Sequence, residues 1–139
     1  MGNDKYIADS FNNIGMTYHE QGKLEQALSQ HEKALAIRKQ VGIPADIAQS
    51  LHNVGDTYFK QGQLELAIEH FDKALIIYKR LGRDFMVDVA DELVALNTCY
   101  GLLGKHEKSS TDRTHKRQIY KKSKRRSRKS AGMQRRRRT

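Results

Sequence analysis

Residues 11–42 read FNNIGMTYHEQGKLEQALSQHEKALAIRKQVG, and residues 51–82 repeat the pattern as LHNVGDTYFKQGQLELAIEHFDKALIIYKRLG. The two stretches are identical at 15 of 32 positions. A partial third copy follows at an offset of 42, in which Tyr100 corresponds to Tyr58. Self-similarity at a period of about 20 to 50 residues is typical of stacked units that build an extended surface for partners. The repetition therefore favours a binding function over a catalytic one.

The apolar residues within each repeat recur at helical spacing. In the second copy they fall at every third or fourth position, at Ile47, Leu51, Val54 and Tyr58, and then at Leu64, Ala67, Ile68, Phe71, Ala74, Leu75 and Tyr78. This spacing predicts two amphipathic helices per repeat. Helix ends that favour positive φ are marked by Gly22, Gly42, Gly62 and Gly82. Small residues stand where paired helices would otherwise collide, at Ala27, Ala34, Ala67 and Ala74.

Each unit resembles the tetratricopeptide repeat, whose signature is a large apolar residue, Leu-Gly, Tyr, and then Ala and an aromatic residue on the second helix. The second copy carries this signature as Leu51, Val54, Gly55, Tyr58, Ala67 and Phe71, and the first copy as Phe11, Ile14, Gly15, Tyr18 and Ala27. His31 occupies the slot of Phe71. The period of 40 and the Asn-x-Gly before the tyrosine resemble the long repeats of kinesin light chain and of the Pins/LGN scaffold proteins.

The resemblance implies an all-α fold, a right-handed superhelical solenoid of antiparallel helix pairs with about two and a half repeats. We expect the array to span residues 5–108, with repeats at about 5–44 and 45–86 and a partial repeat at 87–108. Five helices are predicted between residue 5 and about residue 104. Residues 109–139 are expected to form a basic, low-complexity tail.

Charge separates the tail from the array. Residues 1–104 hold 10 Lys and Arg against 14 Asp and Glu, whereas residues 105–139 hold 16 against 2. A segment this basic and this poor in apolar residues is expected to be disordered. Basic clusters are typical of solvated extensions, and also of segments that bind nucleic-acid phosphates or import receptors. The residues available for such binding are Lys121, Lys122, Lys124, Arg125, Arg126, Arg128, Lys129, Arg135, Arg136, Arg137 and Arg138.

The third repeat lacks an apolar second helix, because the positions equivalent to Phe71 and Ala74 are Arg113 and Lys116. Its first helix is nevertheless apolar on more than one side, whereas a terminal repeat normally turns a polar face outward. Three explanations stay open: self-association through the helix 87–103, a partner that covers it, or a tail that is foreign to the array through truncation, splicing or a shifted reading frame. The predicted contact residues are Leu93, Leu96 and Leu103.

Motifs of catalytic or metal sites are missing from the sequence. His19, His31, His52 and His70 lie in different predicted helices and lack the spacing of a zinc site, and no nucleophile motif occurs. Cys99 aligns with Thr57 and is expected to be a small buried thiol. No apolar run approaches the length of about 18 residues needed to span a membrane. We therefore expect no enzyme, no cofactor, no metal and no membrane contact, and a cytoplasmic location, with nuclear import through the basic tail as the alternative.

The predicted binding surface is the face of each first helix opposite its packing stripe. It comprises Asn12, Asn13, Met16, His19, His52, Asn53, Asp56, Phe59, Lys60 and Thr98. Asn13 and Asn53 are equivalent positions, and the family resemblance implies that asparagine there contacts the backbone of an extended ligand. An amide suits that role because it donates and accepts at once. The alternative for both residues is a helix–helix hydrogen bond or simple solvent exposure.

The sequence thus predicts a protein-interaction scaffold that binds an extended peptide or a helix of a partner in the concave groove. The alternative is a nuclear or nucleic-acid-associated adaptor that acts through the tail. Salt distinguishes these two functions, because phosphate binding weakens steeply as salt rises and groove binding does not.

Overall fold

The structure, a computed structural model, describes residues 2–109, and within them the chain forms five α-helices and no β-strand. The helices are α1 (Gly2–Glu20), α2 (Leu24–Val41), α3 (Pro44–Lys60), α4 (Leu64–Leu81) and α5 (Met86–Ser109), with a single 3-10 turn, Arg83–Phe85, before α5. α1 packs on α2, α3 packs on α4, and α2 packs on α3. Helices that pack on each other and are joined by such short turns are antiparallel. The predicted all-α solenoid of helix pairs is confirmed.

The chain divides into two compact units, and Met1–Tyr100 is the first of them. The second begins at Gly101, and the structure describes only its part within α5. α5 runs beyond the predicted end near residue 104 and passes through Gly104, the counterpart of Gly62. The residues after Gly104 lack an apolar stripe that could fold back as a second helix. Apart from Ser109, the predicted tail and all its basic binding residues lie outside the described residues.

Glycines with positive φ lie in the turns that separate the helices. Gly22, Gly42, Gly62 and Gly82 have φ values of 77°, 83°, 79° and 91°, which confirms the prediction of positive φ at these ends. A Cβ atom at any of the four would meet nothing within 4 Å. The backbone conformation, and not a lack of space, therefore requires glycine at these positions.

Two glycines inside helices, Gly15 and Gly55, allow the paired helices to approach closely. A Cβ atom on Gly15 would lie 2.8 Å from Cε1 of His31, and one on Gly55 would lie 3.0 Å from the ring of Phe71. Each ring therefore lies directly against the backbone of the partner helix. His31 fills in the first repeat the position that Phe71 fills in the second, as the alignment predicted. All four predicted contact alanines are fully buried: Ala27, Ala34, Ala67 and Ala74.

The core lies where α2, α3 and α4 meet. Its buried side chains are Leu35, Ala48, Leu51, Val54, Ala74 and Tyr78. Beside it, the buried guanidinium of Arg38 joins three helices. Its Nη2 donates to Oδ1 of Asp9 at 2.9 Å, and its Nη1 donates to Oγ of Ser50 at 2.9 Å and to Oε1 of Gln49 at 3.0 Å. A buried charge with these partners fixes the register of α2 between α1 and α3.

The buried ring of His31 makes stability dependent on pH. The residue is 2% exposed, and its Nδ1 has no hydrogen-bond partner among the described residues. Burial, assisted by His19, lowers the pKa of His31 to about 4. The unfolded chain binds this proton near pH 6.5, whereas the folded chain does so only near pH 4. Stability contributed by the neutral ring is therefore lost as the pH falls through this range.

We expect His31→Phe to remove this acid sensitivity, because phenylalanine fits the equivalent slot and does not titrate. Between about pH 7 and about pH 4.5 the parent should lose on the order of 2 kcal/mol more free energy of unfolding than the variant. Urea denaturation at several pH values measures the difference. Ser29→Ala, a change at an exposed position of α2 that alters no titratable group, is the control and should keep the parental slope. An unchanged pH slope in His31→Phe would contradict this account.

Candidate functional site

The predicted groove residues lie on α1, α3 and α5, but they differ in exposure. Half-buried side chains are those of His19, His52, Asn53, Asp56 and Phe59. Exposed side chains are those of Asn13, Met16, Lys60 and Thr98, whereas Asn12 is buried. The three helices therefore present one polar and partly apolar face.

Two predicted groove residues are bonded to each other. Nδ2 of Asn53 donates to Oδ1 of Asn12 at 2.6 Å, and Asn12 is 6% exposed. This bond joins α1 to α3 and is the helix–helix alternative that the sequence left open for Asn53. Asn13 differs from its sequence equivalent, since its side chain is exposed on α1. The structure thus makes Asn53 part of the helix contact and leaves the Asn13 amide facing solvent.

A second contact between α1 and α3 involves His19. Its Nε2 lies 3.5 Å from Oδ2 of Asp56, and its Nδ1 lies 3.4 Å from the Thr57 hydroxyl. The Asp56 side chain is 48% exposed and accepts no hydrogen bond from the described residues. At 3.5 Å the His19 contact is long for a charge-assisted hydrogen bond. The carboxylate therefore retains free capacity to accept a donor from outside the array.

An ion pair between half-buried His52 and buried Glu92 links α3 to α5. Nδ1 of His52 lies 2.6 Å from Oε1 of Glu92, which is 2% exposed and has no partner for its other oxygen among the described residues. Burial lowers the pKa of His52, but the Glu92 carboxylate outweighs it, so the pKa is raised overall. The stabilisation from this pair is therefore present at low pH and is lost as the pH rises through the raised pKa. Sequence reasoning missed Glu92, although it is a carboxylate at the position of Ser50.

Three predicted residues converge on one pocket. Asp56, Phe59 and Thr98, with Phe71 and Ala95, line a cavity of about 140 Å³, which we call the α3–α5 pocket. Phe71 is buried, and the Thr98 hydroxyl donates to the Val94 carbonyl at 2.9 Å. A cavity of about 150 Å³ holds a molecule the size of benzene, so this pocket has room for one amino-acid side chain.

The alignment of the repeats contains an indication of this pocket that the sequence-based prediction missed. Ala95 stands where the earlier repeats have Asn13 and Asn53. The shorter side chain leaves open the space between α3 and α5 that an asparagine would fill. A larger depression, of about 450 Å³, lies at the turns after α1 and α3. It contains none of the predicted binding residues; its lining is Gly22, Lys23, Leu24, Glu25, Gln26, Gln61 and Gln63.

The surface of α5 corrects one prediction. Leu96, expected to lie on an exposed contact face, is 6% exposed. It aligns with buried Val54 and has the same inward orientation. The exposed apolar residues at this end are Met86, Val87, Leu93, Val94 and Tyr100. Self-association through the helix 87–103 stays a prediction.

The single cysteine is buried, as predicted, and burial raises the pKa of the Cys99 thiol. Within the described residues, no group of three or more His, Cys, Asp or Glu side chains is placed to hold a metal ion. None of the described helices combines the length and apolarity required to cross a bilayer.

Both parts of the repeat array match models of a known protein family. Models of the tetratricopeptide repeat match residues 7–41 and residues 46–111. The chain belongs to the tetratricopeptide repeat family. Such repeats are in general protein–protein interaction modules, and the resemblance of this chain to kinesin light chain is consistent with the matched families.

Solved structures share the fold of this tetratricopeptide repeat chain. The crystal structure of the TPR domain of Arabidopsis FLU aligns with a TM-score of 0.67 at 22% identity, over 86% of this chain and 98% of that chain. BtubC (BKLC) from P. vanneervenii aligns with a TM-score of 0.68 at 21% identity, over 88% of this chain and 51% of that chain. Identities this low show a common fold alone. Comparison with curated protein sequences finds no significant match.

The Asn12–Asn53 bond leads to a prediction about stability. Asn53→Ala leaves the buried Oδ1 of Asn12 without its donor, which should lower the free energy of unfolding by about 1 to 2 kcal/mol. Asn13→Ala removes an exposed amide from the equivalent position and should change it by less than about 0.5 kcal/mol. Urea denaturation of both variants measures the contrast. Equal effects of the two substitutions would show that the bond does not contribute to the contact.

Proposed function

We propose that the array binds an extended peptide or a helix of a partner protein across the face of α1, α3 and α5. One side chain of the ligand enters the α3–α5 pocket. The observation that carries the proposal is the convergence of Asp56, Phe59 and Thr98 on that pocket. These residues come from two helices of different repeats, and each was assigned to the groove from its position in the repeat alone.

Three of the five residues that line the pocket are apolar. Phe71 and Phe59 supply aromatic surface, and Ala95 supplies a small wall. Burial of one apolar or amphipathic ligand side chain there contributes about 1.5 to 3 kcal/mol. Two contacts keep the walls in place before any ligand arrives, the ring of Phe71 against Gly55 and the pair of His52 with Glu92. A site that is already ordered loses little entropy on binding.

The rest of the face provides polar contacts. The exposed amide of Asn13 can pair with both groups of a ligand backbone. Met16 is exposed beside it and adds a flexible, polarizable surface that adapts to different side chains. A ligand anchored in the α3–α5 pocket and extended towards α1 would reach these residues.

A second proposal concerns the basic residues of the tail, at 121–129 and 135–138. Residues 105–139 carry 16 Lys and Arg against 2 Asp and Glu, which favours binding of nucleic acid or an import receptor and a nuclear location. Binding by such charges weakens steeply as salt rises, so measurements at low and at moderate salt separate it from groove binding.

Ala95→Leu should block the groove. Peptides are first selected from a random phage-displayed library on the full chain in about 0.3 M salt, which screens the charges of the tail. Their affinities are then measured by fluorescence anisotropy. Leucine fills the α3–α5 pocket, so the selected peptides should bind the variant at least about tenfold more weakly. The melting temperature should change little, because Ala95 faces an open cavity.

Ile76→Ala is the matched control, since Ile76 is an exposed apolar residue of α4 outside the pocket lining. It should leave peptide affinity unchanged. Selected peptides that bind Ala95→Leu as tightly as the parent would place the ligand elsewhere. Failure to select any peptide would count against groove binding as a whole.

A further inference from the structure

We propose that the ligand side chain that enters the α3–α5 pocket is cationic, an arginine or a lysine whose head group binds Asp56. The partner would then present a basic peptide segment to the array. This inference rests on the proposed function, because it specifies the ligand of the same pocket. It makes Asp56 the residue that determines specificity.

The carboxylate of Asp56 is the first reason. It lines the pocket, remains 48% exposed, and accepts no hydrogen bond from the described residues. The equivalent positions in the other repeats are Met16 and Thr98. Only the second repeat therefore places an ionisable group at this position of the face. A guanidinium or ammonium group supplies the donors that this carboxylate lacks.

The walls of the pocket are the second reason. Arginine and lysine carry long apolar stems that pack on apolar surface while the charged group reaches a polar partner. Phe59, Phe71 and Ala95 provide such a surface beside the carboxylate. Aromatic faces also attract cations, and arginine can pair with a carboxylate through two parallel hydrogen bonds. A leucine would fill the same volume but would give the carboxylate no donor beyond the long contact to His19.

The charge around the pocket is the third reason. Asp91 and Glu92 on α5 lie close enough to His52, together with Asp56, to favour its protonated form. The basic groups near this end of α3 are the exposed Lys60 and the histidines, including His19 at 3.5 Å from Asp56. The array up to residue 104 carries 14 acidic and 10 basic residues. The net charge of the chain is +10 because of the residues after 104, so the attraction for a cationic side chain comes from the acidic groups close to the pocket.

The test uses the full chain and synthetic peptides that differ at one residue. A fluorescein-labelled peptide selected on the protein is made with arginine, lysine, citrulline, norleucine, leucine or glutamate at its anchoring position. Citrulline keeps the shape of arginine without its charge, and norleucine keeps the stem of lysine. We expect the arginine peptide to bind about five- to tenfold more tightly than the citrulline peptide, given the partial exposure of the carboxylate.

Asp56→Asn should abolish the preference for arginine over citrulline, and Asp56→Arg should reverse it in favour of glutamate. Glu65→Gln, which removes an exposed carboxylate at the start of α4, is the control and should retain the preference. Thermal melts confirm that each variant is folded. The comparison of arginine with citrulline on the parent chain needs no variant, so loss of folding in Asp56→Asn cannot obscure the result.

Two further results would overturn the inference in distinguishable ways. If the leucine and norleucine peptides bind the parent at least as tightly as the arginine peptide, and Ala95→Leu still blocks them, the pocket is an apolar site and only the cationic anchor is wrong. If no peptide of the series responds to Ala95→Leu, both the anchor and the proposed groove function fail.

Discussion

The close approach of paired helices at Gly15 and Gly55 is the constraint on which the rest of the array depends. With hydrogen in place of a side chain, each first helix lets an aromatic or imidazole ring of the second helix rest on its backbone. The ring of Phe71 is thereby held in the lining of the α3–α5 pocket. A wider helix spacing would move that ring and change the lining of the pocket. Packing within a repeat and the geometry of the binding face therefore share one cause.

Contacts between repeats determine which side chains remain free for a ligand. Asn53 donates one hydrogen bond to Asn12, and Glu92 binds His52, so these polar groups stabilise the stack. Asp56 has only a long contact to His19 and stays half exposed. Ala95 is too small to close the gap that it lines. The candidate site is therefore the place where neither packing nor pairing between repeats is complete.

The fold could be predicted from the sequence because it follows from local chemistry repeated at a fixed spacing. Apolar periodicity defined the helices, and glycines such as Gly62 defined their ends. A helix–helix bond was left open for Asn53, but the partners in the pairs between repeats could not be predicted, because they depend on how one helix is rotated against the next. In the sequence pattern Arg38 and Glu92 are indistinguishable from exposed charged residues, because only the packed helices show that they are buried. Leu96 was assigned to an exposed face for the same reason, since α5 is apolar on several sides and only its neighbours decide which side is buried.

Occupation of the α3–α5 pocket by a ligand side chain is tested most directly by NMR. The isotope-labelled full chain is titrated with a selected peptide, and the chemical shifts of its backbone amides are recorded. A ligand side chain in the pocket should produce the largest shifts at Asp56, Phe59, Ala95 and Thr98, with smaller shifts along α1 near Asn13. Shifts confined to the outward surfaces of α2 and α4, for example around Ile76, would contradict it.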